Sequence, residues 1–328
     1  MKTNLTSTIL TASAALAITA FVILTGCAKE NGAKPDSWTD LEIASVSSDN
    51  SLSKAVINDT DFPQTGEIGL FLFKDESAEI PYGESGYTNV KYAYNSDKER
   101  WIASPSIKVG STPGYLYGYY PYTADTQEQT IGIKAIPVKS SLNGDDTMYA
   151  SKQSSPITDK TAAGTSIVMN HALARIALTV KKSNYTGEAK LTNIKFTNAE
   201  GTADDNKVKI ASSGTLNAVD GTITATREES LSFAVPEASQ PISTDGSLYE
   251  CLIVPSAPVD TRQNVILTLS IDSDDKSITL SEDNGVIIKS GVKSTISITL
   301  SNTGLVASVS ITDWVTGTVH EGTIGGDI

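Results

Sequence analysis

The stretch NVILTLSI, residues 264–271, alternates apolar side chains with threonine and serine. Its apolar residues fall mostly on one face of an extended chain, and Thr268 and Ser270 fall on the other, because side chains of a β-strand point to alternate faces of the sheet. STISITLS, residues 294–301, repeats the pattern with Ile296 and Ile298 among its apolar row. This alternation predicts strands that have one face on a core and the other in water.

Further segments with strand-like composition continue along the chain. They are EIGLFLF (67–73), YLYGYY (115–120), IGIKAIPV (131–138), AKLTNIKFT (189–197), LSFAV (231–235), LYECLIV (248–254) and LVASVSI (305–311). Clusters of Asn, Asp and Gly separate them, such as NGDD (143–146) and EDNG (282–285), and such clusters are typical of turns. Many short strands between turns predict an all-β protein of the sandwich type.

The segment HALARIALTVKK (171–182) fits both the helical and the strand period. The strand interpretation is preferred because Thr179 and Val180 are β-branched and no helix-capping residue is well placed. The stretch SKQSSPITDKTAAGTS (151–166) precedes it and has the composition of a linker. It predicts a domain boundary nearby.

The N-terminus has the layout of a bacterial lipoprotein signal. Lys2 precedes the apolar run ILTASAALAITAFVIL (9–24), which is too short and too polar to span a bilayer comfortably. The residues Leu-Thr-Gly-Cys that end at Cys27 fit a lipobox, in which cleavage follows Gly26 and the thiol receives a diacylglycerol. We expect a signal peptide over 1–26 and a polar tether over 27–40, with fatty acyl groups such as palmitate on Cys27. An ordinary signal peptide with a chance cysteine is the alternative.

The net charge and the cysteine content exclude some partners and some kinds of stabilisation. The 328 residues carry a formal net charge of −13, which repels nucleic acid and anionic lipid. With Cys27 acylated, Cys251 has no partner, so a disulfide framework is not expected. Cys251 lies in the apolar run YECLIVPS, which indicates a small buried core residue.

No catalytic or metal-binding pattern stands out. The two histidines, His171 and His320, lack a partner pattern, and the nucleophile, zinc and nucleotide motifs are missing from the sequence. DSDDKS (272–277) lacks the glycine and the distal glutamate of a calcium loop. The carboxylate pairs Asp204–Asp205 and Asp274–Asp275 fall in predicted turns, where solvation is expected. We therefore expect neither an enzyme nor a bound metal or cofactor.

The segment GYLYGYYPYT (114–123) contains five tyrosines. Exposed, such a row would give a stacking platform for sugars or an interface, because tyrosine combines an apolar ring with a polar tip. Buried, it would be a core strand. Burial is the preferred interpretation.

Several segments taken in order resemble the fimbrillin family of Bacteroidetes, the subunits of type V pili. They are the lipobox, SKAV (53–56), IGLFLF (68–73), YYPYT (119–123), HALARIALTV (171–180), LIVPS (252–256) and SITDW (310–314). The resemblance implies two tandem antiparallel β-sandwich domains of the transthyretin-like, Greek-key kind, at 41–165 and 166–328. It also implies an outer-membrane lipoprotein at the cell surface that assembles with other fimbrial subunits by donor-strand exchange and binds a host or bacterial receptor.

Carried onto this chain, the resemblance places the displaceable strand within LEIASVSSDNSLSKAV (41–56), with a maturation cut between Lys54 and Ala55. The family cut follows an arginine, so either a protease that accepts lysine acts here or the chain keeps its first strand and lipid in an anchor or tip role. After Trp314 the chain is rich in glycine and is a poor donor strand. Asp-Thr-Met at 146–148 resembles the O-glycosylation signal of these bacteria, with Thr147 as acceptor.

Two functions remain open at this level. The first is a structural or adhesive subunit of a type V-like fimbria. The second is a glycan-binding surface lipoprotein of a nutrient-uptake system, which would need an exposed aromatic platform.

Overall fold

The computed structural model describes residues 37–48, 66–84, 86–127, 129–153, 155–199, 210–228, 230–236, 241–256, 262–281, 284–314 and 320–322. Almost all regular structure in this part of the chain is β-strand, which confirms the predicted fold class. The first eleven strands are β1 (Thr39–Asp40), β2 (Ile43–Ser48), β3 (Glu67–Phe73), β4 (Tyr87–Asn95), β5 (Arg100–Ile102), β6 (Lys108–Val109), β7 (Tyr115–Tyr120), β8 (Ile136–Lys139), β9 (Ser141–Leu142), β10 (Met148–Ala150) and β11 (Thr165–His171). The others are β12 (Ala174–Lys182), β13 (Leu191–Asn198), β14 (Ile210–Leu216), β15 (Ile223–Glu228), β16 (Ser230–Ala234), β17 (Ser247–Ile253), β18 (Val265–Ile271), β19 (Asp274–Leu280), β20 (Val292–Ser301), β21 (Gly304–Asp313) and β22 (His320–Gly322). A 3-10 helix spans Ala162–Gly164.

Seven strands of the N-terminal half close into a barrel in the order β10-β11-β2-β5-β4-β3-β7. Apolar side chains fill its interior, among them Ile68, Leu70, Tyr92 and Met169. Strands β1 and β6 form a separate two-stranded sheet beside this barrel. Closing the sheet pairs strands that an open sheet would leave at its edges.

The C-terminal half forms a sandwich. A six-stranded sheet, β22-β21-β20-β12-β17-β9, shares one apolar core with a four-stranded sheet, β16-β13-β18-β19. In β18 the residues Val265, Leu267, Leu269 and Ile271 are buried and the residues between them are half-buried, so the alternation of NVILTLSI is confirmed. The same side chains that alternate in sequence therefore hold the two sheets together by hydrophobic burial.

A third core cluster lies between the barrel and the sandwich. It contains Phe71 and Tyr117 from barrel strands and Leu252 and Trp314 from the C-terminal half. Strands β8 and β9 also pair across this junction, with β14 and β17 respectively. The chain passes from the barrel to the sandwich between β11 and β12, and a division into independent domains near residue 165 stays a prediction.

The structure adds two parallel pairings to the expected antiparallel sheets. Strand β2 runs parallel to β11, and β12 runs parallel to β20. Each pair is far apart in sequence, and the long intervening segment supplies the crossover that a parallel ladder requires.

Three local expectations need correction or refinement. Of the segment 131–138, only β8 is strand, because a backbone hydrogen bond from Ala135 to Gly132 makes a turn before it. The linker-like stretch 151–166 contributes Ile157 and Ala162 to the barrel core. Asp274 and Asp275 are exposed as expected, but they begin β19 instead of lying in a loop.

Other expectations hold closely. Strands β3 and β7 have the bounds predicted for EIGLFLF and YLYGYY. The ambiguous segment 171–182 is not helical: His171 ends β11, and Ala174–Lys182 forms β12. Within the described ranges, no helix has the length and apolar character needed to cross a membrane.

Candidate functional site

Strand β2 is the N-terminal strand of the barrel and lies within the segment predicted to be displaceable. Backbone hydrogen bonds hold the chain that enters it: the N–H of Leu41 donates to Ile107 over 2.8 Å and that of Glu42 donates to Ala162 over 3.0 Å. The strand then pairs in parallel with β11, from Ile43 opposite Thr165 onward, with a register shift after that pair. Among the described residues, its other side pairs with β5 through Ile43 and Trp101.

Apolar side chains anchor this strand in the barrel interior. Leu41, two residues before β2, and Ile43, its first residue, are fully buried. They belong to the same core cluster as Trp101 of β5, Ile167 of β11 and Met169 of β11. Fully burying a leucine or isoleucine contributes about 1.5–3 kcal/mol, so these side chains contribute several kcal/mol to the strand's attachment.

Polar contacts add to this attachment at its entrance. The hydroxyl of Tyr92 donates to the carbonyl of Leu41 over 3.0 Å. Burial raises the pKa of Tyr92 to about 12, which keeps the hydroxyl protonated as a donor. Glu42 forms an ion pair with Arg100 at 2.9 Å, and Arg100 also donates to the carbonyl of Ala163.

Loss of β2 would expose two features of the barrel. The backbone groups of β11 that pair with β2 would lose their partners, and the slot occupied by Leu41 and Ile43 would open to water. Unpaired edge groups beside an apolar slot are the two features that an added strand satisfies in β-augmentation.

The sequence-predicted site residues fall in different parts of the chain. Gly26, Cys27, Lys54 and Ala55 lie outside the described residues. Thr147 precedes β10 and its side chain is buried, with 9% of the residue exposed. Glycosylation of this hydroxyl stays a prediction.

A buried polar cluster at the junction was not anticipated from the sequence. His171, at the end of β11, contacts Asp146 through Nδ1 and Oδ2 at 2.5 Å. The His171 ring stacks on Trp314 with centroids 3.9 Å apart, and the Arg175 guanidinium lies 5.4 Å from the Trp314 centroid. Arg175 in turn makes a bidentate pair with Glu250 at 2.6 and 2.8 Å.

The environment of this cluster is desolvated. Burial raises the pKa of Asp146, and the hydrogen bond from His171 opposes part of that rise. Neither the second oxygen of Asp146 nor Nε2 of His171 has a hydrogen-bond partner among the described residues. The cluster contains residues of β11, β12 and β17 and the residue that follows β21, so it joins the barrel to the sandwich. A structural role for His171 stays a prediction.

The tyrosine row of β7 is buried and does not form a surface platform. Tyr117 and Tyr119 are almost completely inaccessible, and burial raises the pKa of each to about 12. The hydroxyl of Tyr117 donates to the carbonyl of Glu76 over 2.7 Å, and that of Tyr119 donates to Asn89 over 2.7 Å. The platform on which the glycan-binding alternative depended is therefore not at this position.

Metal-ligating side chains do not converge in the described part of the chain. No group of three or more His, Cys, Asp or Glu residues there is arranged to hold an ion. Asp272 instead caps a turn by accepting the amides of Ala189 and Lys190 at 3.0 and 2.8 Å, which lower its pKa against the effect of burial.

Comparison with known proteins gives a consistent result. The crystal structure of a proposed cell adhesion protein from Bacteroides uniformis ATCC 8492 superposes with a TM-score of 0.57 at 18% identity, covering 85% of this chain and 99% of the other. One from Bacteroides ovatus ATCC 8483 superposes with a TM-score of 0.55 at 18% identity, covering 86% and 100%. No curated protein is significantly similar in sequence. Residues 53–314 match the Fimbrillin-like family, Mfa_like_1, and because this match spans most of the sequence, the chain belongs to the Fimbrillin-like family.

Proposed function

We propose that this protein is a structural or adhesive subunit of a type V-like fimbria that assembles by donor-strand exchange at the position of β2. The Fimbrillin-like family is one of fimbrial structural subunits and not of enzymes, which supports the general class. The observation that carries the proposal is β2 itself, an N-terminal strand with buried side chains that closes the barrel beside β11. An extended segment of another subunit would restore the same backbone pairing and fill the same slot.

Export and anchoring complete the proposal. The lipobox supports attachment to the outer membrane through Cys27, with the folded part at the cell surface. Cleavage after Lys54 would release the lipid together with β2 and yield a subunit with an open slot. Retention of both would leave a lipid-anchored terminal subunit. In either form the partners are other fimbrial subunits and a host or bacterial surface receptor.

An engineered disulfide that reversibly links β2 to β11 tests the exchange step. Ser45 of β2 and Ser166 of β11 are register partners whose hydroxyls lie 2.9 Å apart, so cysteines at both positions are near the separation that a disulfide needs. We expect the oxidised Ser45→Cys/Ser166→Cys protein to stay monomeric in its native cell. On gels it should therefore not contribute to the heat-sensitive ladders that polymers give. The reduced double variant and Ser45→Cys alone should assemble as the wild type does. Ladders formed equally well by the oxidised protein would exclude exchange at β2.

Mass spectrometry of the mature N-terminus separates the two maturation routes. An acylated Cys27 indicates an anchored subunit that keeps β2, whereas a free Ala55 indicates a processed one. A mature chain that begins at neither residue would contradict both routes.

A further inference from the structure

A cavity of about 860 Å³ opens beside the two-stranded sheet of β1 and β6. Its lining includes Trp38, Lys74, Tyr82, Glu84, Tyr87 and Lys108. Pockets of 300–1,000 Å³ that combine aromatic walls with a few polar groups are the usual size for small-molecule ligands. The cavity is separate from the slot of β2, but Trp38 and β1 precede Lys54. The inference therefore concerns the form of the protein that keeps residues 27–54, and its failure would leave the proposed strand exchange untouched.

Trp38 gives this cavity an exposed aromatic wall. Trp38 is 54% exposed, whereas the other two tryptophans, Trp101 and Trp314, are only 2% and 7% exposed. Tryptophan is usually highly buried, so the exposure of Trp38 is unusual. Its ring lies next to Gly110, where a Cβ atom would stand 3.5 Å from the indole. The indole is therefore supported on one side and accessible on another.

Neighbouring contacts hold the segment that carries Trp38. On its C-terminal side Thr39 and Asp40 pair with β6. On its N-terminal side the hydroxyl of Ser37 donates to Asp159 over 2.6 Å. Because strand pairing on one side and a side-chain hydrogen bond on the other hold the neighbours of Trp38, less conformational freedom remains to be lost when a ligand covers the ring.

Tyr82 forms the floor of the cavity, and its hydroxyl is already hydrogen-bonded within the protein. Tyr82 is buried, and its hydroxyl donates to the carbonyl of Thr112 over 2.6 Å while accepting the amide of Gly110 over 3.1 Å. Specific contacts to a ligand therefore come from the exposed polar residues of the lining, which include Ser111 and Thr112, and from the exposed charged rim residues Lys74 and Glu84. Neither of these two side chains makes an ion pair with a described residue.

The rim charges identify the ligand class. Lys74 supplies donors and Glu84 supplies acceptors, while Lys108 is paired with Asp40 at 2.6 Å. The ammonium groups of Lys74 and Lys108 are balanced by the carboxylates of Glu84 and Asp40, so the cavity favours neither a strongly anionic nor a cationic ligand. A pyranose ring matches this surface, because it has an apolar C–H face for the indole and hydroxyls for both rim groups. We propose that the Trp38 cavity binds a neutral oligosaccharide.

Tryptophan fluorescence gives a direct test on the chain that begins at residue 27 and is not cut after Lys54. Since Trp101 and Trp314 are buried, acrylamide quenching reports mainly on Trp38. The probes are neutral glucose, mannose, galactose and xylose oligosaccharides of three to six units, with a uronic-acid oligosaccharide and a decapeptide for comparison. We expect at least one neutral oligosaccharide to shield Trp38 from acrylamide and to bind in calorimetry, and the uronic-acid oligosaccharide and the peptide to bind at least about tenfold more weakly.

Matched variants make the result specific to this site. Trp38→Ala should weaken binding about tenfold or more, since stacking contributes of the order of one decade in affinity. Trp38→Phe should recover part of the loss. Leu248→Ala removes a similarly exposed apolar side chain from β17 and should leave binding unchanged. Binding by no neutral oligosaccharide, preference for the peptide or the uronic acid, or full binding by Trp38→Ala would each overturn the proposal.

Discussion

Cys251 shows how completely one residue can be shielded by its strand. It lies in β17, none of its surface is exposed, and burial raises the pKa of its thiol. Because the thiolate is the reactive form, we expect a chain whose Cys27 is acylated or replaced to show no reaction with a thiol reagent such as DTNB when folded. In guanidinium it should react with one equivalent. Rapid reaction of the folded protein would contradict the buried position.

The buried tyrosines predict a loss of stability in alkaline solution. Burial raises the pKa of Tyr92, Tyr117 and Tyr119 to about 12, above the value of about 10 in an unfolded chain. A raised folded pKa means that the stabilisation is complete below pH 10 and is lost as the pH rises from 10 through 12. Denaturant titrations at pH 8 to 11.5 should show the unfolding free energy falling above pH 10.

The variant Tyr92→Phe measures how much of this alkaline loss of stability is due to Tyr92. In Tyr92→Phe the decline above pH 10 should be shallower, by up to about 1.4 kcal/mol per pH unit for one fewer titrating group. At pH 8 the same variant should be less stable by about 1 kcal/mol, because Leu41 loses a hydrogen bond to its carbonyl. An unchanged alkaline slope would show that Tyr92 is not protected from ionisation.

Among the elements, β2 has the most direct link to the proposed assembly. Ile43→Ala should lower the unfolding free energy by about 2–5 kcal/mol, because it leaves a cavity in the barrel core. Ala44→Ser, at the next and exposed position, should change it by less than about 0.5 kcal/mol. Guanidinium denaturation of both variants measures the difference. Equal stabilities would mean that β2 does not contribute to the core.

Strands with regular alternation could be predicted from sequence, and those without it could not. The alternation of β18 and the long apolar run of β3 depend only on local side-chain order. By contrast β2, with sequence IASVSS, buries Ile43 and Ser48 and has no clear period of two, so only the family resemblance placed it. Parallel pairing of β2 with β11 depends on contacts across more than a hundred residues, which periodicity does not contain.

The same limit applies to side-chain sites. Asp146 and His171 are 25 residues apart, and an aspartate in a polar turn looks solvated until the fold places a histidine beside it. Trp38 stands in what reads as the end of a polar tether, and nothing in its neighbours indicates that Gly110 will support its ring. The fold class, the burial of Cys251 and the burial of the β7 tyrosines followed from composition and spacing. The convergence of distant residues did not.

At the scale of the whole molecule, Trp314 tests how the barrel and the sandwich are joined. It stacks on His171 from the barrel and lies beside Arg175 from the sandwich. Trp314→Ala should therefore cost about 3–5 kcal/mol of unfolding free energy. Val306→Ala, at an exposed position in β21, should cost less than about 0.5 kcal/mol. A small effect of Trp314→Ala in chemical denaturation would show that the junction contributes little to stability.

The direction of β2 has a consequence for any fibre built by replacing it. A guest segment that reproduces the ladder with β11 must run the same way as β2, since a reversed segment would form a different hydrogen-bond pattern and present its side chains in the opposite order. Each copy would therefore inherit the orientation of the one before it. Such a fibre would be polar, with two chemically distinct tips, and growth at one tip would not be equivalent to growth at the other.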